Sequence, residues 1–347
     1  VRIPSTAIFR FISCGRTILW TVTVLFMFAA SAFAEPRLLG VGAIGMTVSD
    51  VDRSVGFFSR VLDFRKISDT EFHNERFDRL TGIFGARVRI VKMKLGDEMI
   101  ELTEYLTPQG QPIPLDSQSN DLWFQHIAIV VRDMDAAYAR LSRNRVKPIS
   151  VEPQRIPDWN KAAAGVRAFY FRDPDNHALE LIWFPPGKGD PRWQKKGNDL
   201  FLGIDHTAIA VSDTDASLAF YRDLLGFRVA GESLNYGREQ EYLNHVFGSR
   251  VRITGLRAPQ GPGIEFLEYI TPGDGRPYPD DSEPNDILYW QVTVQVEDAS
   301  GLYRRLPAGR ARPVSPEVID IEPLQMGGKR ATLVRDPDLH ALQFVEK

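Results

Sequence analysis

A chain of 347 residues with 43% apolar side chains suits about two globular domains of ordinary size, each long enough to bury its own core. Its 42 basic and 45 acidic residues are interspersed and leave a formal net charge of -3, which argues against nucleic-acid binding because no basic tract or helix face tracks a phosphate backbone. One cysteine, Cys14, excludes a disulfide framework.

In chain order, "VRIPSTAIFRFISCGR" carries Arg2, Arg10 and Arg16 with no acid, "TILWTVTVLFMFAA" is apolar, and Ala32, Phe33 and Ala34 supply a small-residue cleavage site. That order predicts a secretory signal over 1–34, and hence an exported, periplasmic protein that meets the membrane only through this segment if it stays uncleaved. A mature chain beginning at Glu35 has no thiol, so any metal site in it must be built from histidine, carboxylate and amide groups.

Four similar modules follow. In each, a strand ends at an aspartate placed as a helix N-cap, at Asp50, Asp133, Asp213 and Asp298. An amphipathic helix comes next, as with Leu218, Tyr221, Leu224 and Leu225 after Asp213, and then further strands, the last reading "MIELTEY", "HALELIWF", "GIEFLEY" and "HALQFVE". In the third module the first strand, "IDHTAIAVSD" (204–213), puts His206 on one face with Ala208 and Ala210, while Thr207, Ile209 and Val211 face the other way. The histidine therefore stands on an uncrowded face.

The two halves are duplicates. "MTVSDVDRSVGFFSRVLDF" (46–64) matches "IAVSDTDASLAFYRDLLGF" (209–227), "FGARVRI" (84–90) matches "FGSRVRI" (247–253), and "FRDPDNHALELI" (171–182) matches "VRDPDLHALQFV" (334–345). The predicted units are a first domain over 35–184, a turn-rich linker over 185–200 and a second domain over 201–347, and two halves in one chain allow a monomer. In "DPDLHALQ" a leucine, Leu339, replaces Asn176 of "DPDNHALE", and since leucine tolerates a left-handed turn poorly, the turn in module four is expected to have drifted.

Four such modules, with histidine in a first strand and glutamate after "DPDNHALE", resemble the vicinal oxygen chelate superfamily of glyoxalases, bleomycin-resistance proteins and extradiol dioxygenases. The resemblance implies an α+β fold in which four βαβββ modules pair into two cup-shaped mixed sheets, in two homologous domains. Each module then offers a ligand position in its first and in its last strand: Ala43 and Glu101, His126 and Glu180, His206 and Glu265, and Gln291 and Gln343. If each half closes on itself, neither cup has a full set of strong ligands. If modules pair across the halves as in glyoxalase-like members, His126, Glu180, His206 and Glu265 fall in one cup, a donor set suited to one divalent ion such as Zn, Ni, Co, Mn or Fe(II).

The resemblance implies a metal-dependent glyoxalase-like lyase or isomerase acting on a small oxygenated substrate, with Glu180 moving a proton. His245, Tyr170 and Arg252 are the candidate substrate-side residues, whereas His177 and His340 recur beside the last strands as structural groups. Two other functions fit the family. An extradiol-type dioxygenase has Tyr170 in its favour, but the histidine expected upstream of that tyrosine is missing from "DWNKAAAGVRAF". A non-catalytic small-molecule binding protein of the resistance type needs only the pocket.

Overall fold

The computed structural model describes residues 37–306, 311–324 and 326–347, so the predicted leader lies outside the described residues. Module one runs through β1 (Leu38–Thr47), α1 (Val51–Leu62), β2 (Arg65–Phe72), α2 (Glu75–Thr81), β3 (Arg87–Leu95) and β4 (Glu98–Thr107). Module two has β5 (Gln125–Val131), α3 (Met134–Arg143), the short β6 (Lys147–Pro148) and β7 (Gln154–Arg155), then β8 (Arg167–Arg172) and β9 (Ala178–Trp183). Module three repeats the first with β10 (Phe201–Ala210), α4 (Thr214–Tyr221), β11 (Arg228–Tyr236), α5 (Arg238–Asn244), β12 (Arg250–Arg257) and β13 (Gly263–Thr271). Module four repeats the second with β14 (Trp290–Val296), α6 (Ala299–Arg305), β15 (Arg312–Pro313), β16 (Ile319–Asp320), β17 (Arg330–Arg335) and β18 (Ala341–Glu346).

The four predicted aspartates cap their helices. Asp50, Asp133, Asp213 and Asp298 each accept a backbone N–H of the first turn, satisfying donors that the helix itself cannot. Behind the caps, the helices bury one stripe each: Phe58 and Leu62 in α1, Leu141 in α3, Leu218 and Tyr221 in α4, and Leu302 in α6.

Among the described residues the strands form two mixed sheets of nine. One runs β2-β3-β4-β1-β14-β18-β17-β15 with β16 beside β17, and the other β11-β12-β13-β10-β5-β9-β8-β6 with β7 beside β8. Module one is thus paired with module four, and module two with module three, through antiparallel pairing of their first strands. The helix-side cores divide differently. One core gathers α1 and α3 with Ile129 and Phe171, and the other gathers α4 and α6 with Phe266 and Phe344. Each half of the chain supplies most of one core, with Phe201, Ile204 and Trp290 joining the first and Leu38 and Val41 the second, and the sheets tie the halves together.

The turn expected to have drifted is intact. Leu339 takes φ 73° where Asn176 takes 72°. In both, the preceding aspartate holds the turn: Asp173 Oδ1 accepts from Asp175 N and His177 N at 2.8 and 2.9 Å, and Asp336 Oδ1 from Asp338 N and His340 N at 2.9 and 2.8 Å. Two buried hydrogen bonds outweigh the roughly 1–2 kcal/mol that a left-handed conformation costs a leucine.

Candidate metal centre

Strand register places the site. Across β13-β10-β5-β9, one row reads Glu265, Ala208, His126, and a neighbouring row reads His206, Ala128, Glu180. Each histidine is thus separated from a glutamate of the other module by one alanine, whose small side chain lets the two ligand-type groups approach each other over it. The two imidazoles are diagonal neighbours with ring centres 5.9 Å apart. His126 Nε2 lies 3.1 Å from Glu180 Oε2, and His206 Nε2 lies 3.6 Å from the same oxygen and 3.4 Å from Glu265 Oε1. His126, Glu180 and His206 are buried, and one ligand atom from each lies within 4.8 Å of the others. Glu265 stands at the rim with a quarter of its side chain exposed.

The electrostatics fit a cation. Burial opposes a charged His206 ring, but Glu265, Asp205 and Glu180 outweigh it and hold its pKa up at about 9. Burial also raises the Glu265 carboxyl above its ordinary value. Among the described residues, His206 Nε2, the nitrogen turned toward Glu180 and Glu265, is buried without a hydrogen-bond partner, which is costly unless something else engages it. Two imidazoles, an excess of carboxylate and an orphaned ring nitrogen together suit a borderline divalent ion.

A pocket of about 230 Å³ opens over His206 and Glu265, walled by Ala162, Gly231, Gly255 and Arg257. Through Asp205, Ala230 and Arg257 it continues into a groove of about 900 Å³. The other end of the cup is packed, with Phe124, Tyr170, Ala208, Leu243 and Leu267 in one cluster. Tyr170 belongs to that packing, with its ring 4.8 Å from His126. Two predicted substrate-side residues are not brought to the pocket. Arg252 lies one residue out of phase with Gly255 and Ile253, so it faces the helix side, where Asp215, Glu232 and Glu268 hold it. His245 is the exposed C-cap of α5, with φ 58°.

The second cup is filled. Glu101, Gly45 and Gln291 form the equivalent row, Gln291 Nε2 donates to Gln343 Oε1 at 2.8 Å, and Ala43 provides no ligand. Lys92 Nζ, 3.1 Å from Glu101 Oε1, supplies the positive charge there, and the cavity that Glu101, Gln291 and Gln343 line is only about 30 Å³. Module three has Gly255 in place of Lys92, and a Cβ there would meet nothing closer than 3.8 Å. The exchange of Lys92 for Gly255 between "FGARVRIVK" and "FGSRVRITG" was a readable signal of which cup is open. Sequence reasoning also passed over Asp205, which meets His206, and Arg257 and Trp193, which hold Asp205.

Comparison with known proteins agrees with this architecture. The profile of the Glyoxalase/Bleomycin resistance protein/Dioxygenase superfamily matches residues 40–181 and again 203–344. The chain is 32% identical to a 2-epi-5-epi-valiolone epimerase of an Actinomyces species, over 44% of this chain and 83% of that protein. It is 26% identical to a lactoylglutathione lyase of Schizosaccharomyces pombe, over 52% of this chain and 57% of that protein. The crystal structure of glyoxalase I from Zea mays superposes with a TM-score of 0.55 at 15% identity, covering 90% of this chain and 92% of that one, which establishes the common fold. The matched regions span both repeats, and the chain belongs to the Glyoxalase/Bleomycin resistance protein/Dioxygenase superfamily.

Proposed function

We propose that this protein is a divalent-metal-dependent lyase or isomerase of glyoxalase type, acting on a small oxygenated substrate. The observation that carries this reading is the buried cluster of His126, Glu180 and His206 with Glu265 at its rim, opening on a pocket of about 230 Å³. The four side chains would hold the ion, which would supply Lewis acidity to a substrate oxygen. The named relatives support the class, one being an epimerase and the other a lyase.

The chain's own groups divide the remaining work. His126 and His206 fix the centre of the cup, and the pocket over His206 and Glu265 leaves room for a substrate. Glu180 and Glu265 lie on either side of His206, so a substrate held above the ring meets a carboxylate on each flank. We assign proton transfer to Glu180, because the two histidines engage only its Oε2 and leave Oε1 to take a proton. Glu265 then serves mainly as a ligand. The packed aromatic end of the cup, with Phe124 and Tyr170, keeps water from that side.

Paired amide substitutions test the assignment. Glu180→Gln should keep most of the bound metal and lose roughly 100-fold or more in turnover, whereas Glu265→Gln should mainly weaken metal affinity. A screen of small hydroxy-ketones, catechols and epoxides under air and under nitrogen supplies the substrate. If Glu265→Gln instead keeps the metal and loses turnover, the two carboxylates exchange roles. Oxygen uptake with a catechol would replace the lyase or isomerase reading by a dioxygenase.

A further inference from the structure

Asp205 precedes His206 in β10, and in a regular strand the two side chains would face opposite sides of the sheet. The pairing of β10 with β5 shifts register between Ile204 and His206, and this bulge turns the Asp205 carboxylate back toward its neighbour. Asp205 Oδ2 lies 3.0 Å from His206 Nδ1. The carboxylate is itself held on both oxygens: Trp193 Nε1 donates to Oδ1 at 3.0 Å, and Arg257 donates to Oδ2 at 2.7 Å and to the Asp205 carbonyl at 2.6 Å. Trp193 comes from the 3-10 turn Pro191–Gln194, in the segment between the repeats. Gly203 leaves room for it, since a Cβ there would stand 2.9 Å from the indole ring.

A carboxylate can only accept, so Nδ1 keeps its proton and Nε2 is the nitrogen that would release its own to bind an ion. That nitrogen is the one turned toward Glu180 and Glu265 and left without a hydrogen-bond partner. The repeat supplies an internal control. At the corresponding place β1 carries Gly42 and Ala43, so the carboxylate and the imidazole are absent together from the cup that Lys92 fills. We propose that Asp205 is the positioning residue of the metal centre, and that the segment between the repeats, through Trp193, sets the centre's affinity by clamping Asp205. The proposal rests on the metal-centre reading above.

The test is zinc affinity of the full chain, measured by competition with a chromophoric chelator, together with the visible spectrum of the cobalt(II)-loaded protein. Asp205→Asn should weaken zinc binding by about 10–100-fold, the usual effect of losing a ligand's orienting partner, and should shift the cobalt bands. Trp193→Phe keeps the ring packing but removes the N–H, and should weaken binding several-fold. It carries the test alone if Asp205→Asn does not fold. Zinc bound by both variants as tightly as by the wild type, with affinity still lost in His206→Ala, would overturn the proposal and leave the metal centre standing. A wild-type chain that binds no zinc or cobalt would overturn the metal-centre reading, and this inference with it.

Discussion

Two histidines illustrate how differently one side chain is used in this fold. His206 faces carboxylates on both ring nitrogens, yet only the Asp205 contact is hydrogen-bonded, and Nε2 is left for another partner. His177 is fully satisfied: Nδ1 meets Asp173 Oδ2 at 2.9 Å, and Nε2 meets the Ile287 carbonyl at 2.7 Å. Both partners are acceptors, so the ring is held as an imidazolium tying module two to the segment before β14. Burial opposes that charge, but Asp173 and Asp175 outweigh it and raise the pKa above its ordinary 6.5. A folded-state pKa above the unfolded one stabilises fully below the unfolded value and less as pH rises through the folded value. The loss in unfolding free energy on His177→Gln should therefore be largest near about pH 6 and shrink as pH is raised, which urea titrations at several pH values can follow. A loss that grows with pH would contradict the charged ring. At this scale sequence exposed the ligand-type residues, because duplication made His126, Glu180, His206 and Glu265 stand out against Ala43, Gln291 and Gln343. It concealed Asp205, whose contact with His206 depends on a bulge, and Trp193, which reaches Asp205 from 12 residues away.

The elements were readable where the signal was local. A strand followed by aspartate and an amphipathic stretch marked four helix starts, and in each the carboxylate accepts the backbone N–H that the cap requires. The turn before the last strand was misjudged for a physical reason. Leucine's reluctance to enter the left-handed region was set against nothing, whereas Asp336 supplies two short hydrogen bonds that keep Leu339 there. The same bonds in module two imply that Asn176→Leu should fold with the turn unchanged and lose only about 1 kcal/mol, the conformational cost alone. Chemical denaturation would measure it. A loss of several kcal/mol would mean that the asparagine side chain, and not the aspartate, holds the turn. Arg252 shows the opposite lesson. Its "RVR" pattern gave alternation but not phase, and only the register of β12 with β13 shows that Gly255 shares the cup face with Glu265 while Arg252 points to the helices.

At the scale of the whole chain, the sheets and the cores follow different partitions. Each helix-side core is drawn mainly from one half, but each sheet joins one module from each half, and the candidate centre therefore draws His126 and Glu180 from the first repeat and His206 and Glu265 from the second. Cross pairing was suggested by the uneven distribution of ligand-type residues over four modules, and register makes it visible in atoms. An ion held this way binds only the folded, paired chain, so it should raise the unfolding temperature of both repeats together. The duplication has produced two unlike cups: one with Gly255 beside Glu265 and an unpartnered nitrogen on His206, the other closed by Lys92, Glu101 and a pair of glutamines. The most direct test of the account is the metal content of the purified chain, by native mass spectrometry after zinc loading, for the wild type and single alanine variants. One ion per chain is expected, retained in Gln291→Ala and lost from both His126→Ala and His206→Ala. Two ions per chain, or one that survives His126→Ala and disappears with Gln291→Ala, would contradict a single centre built across the repeats.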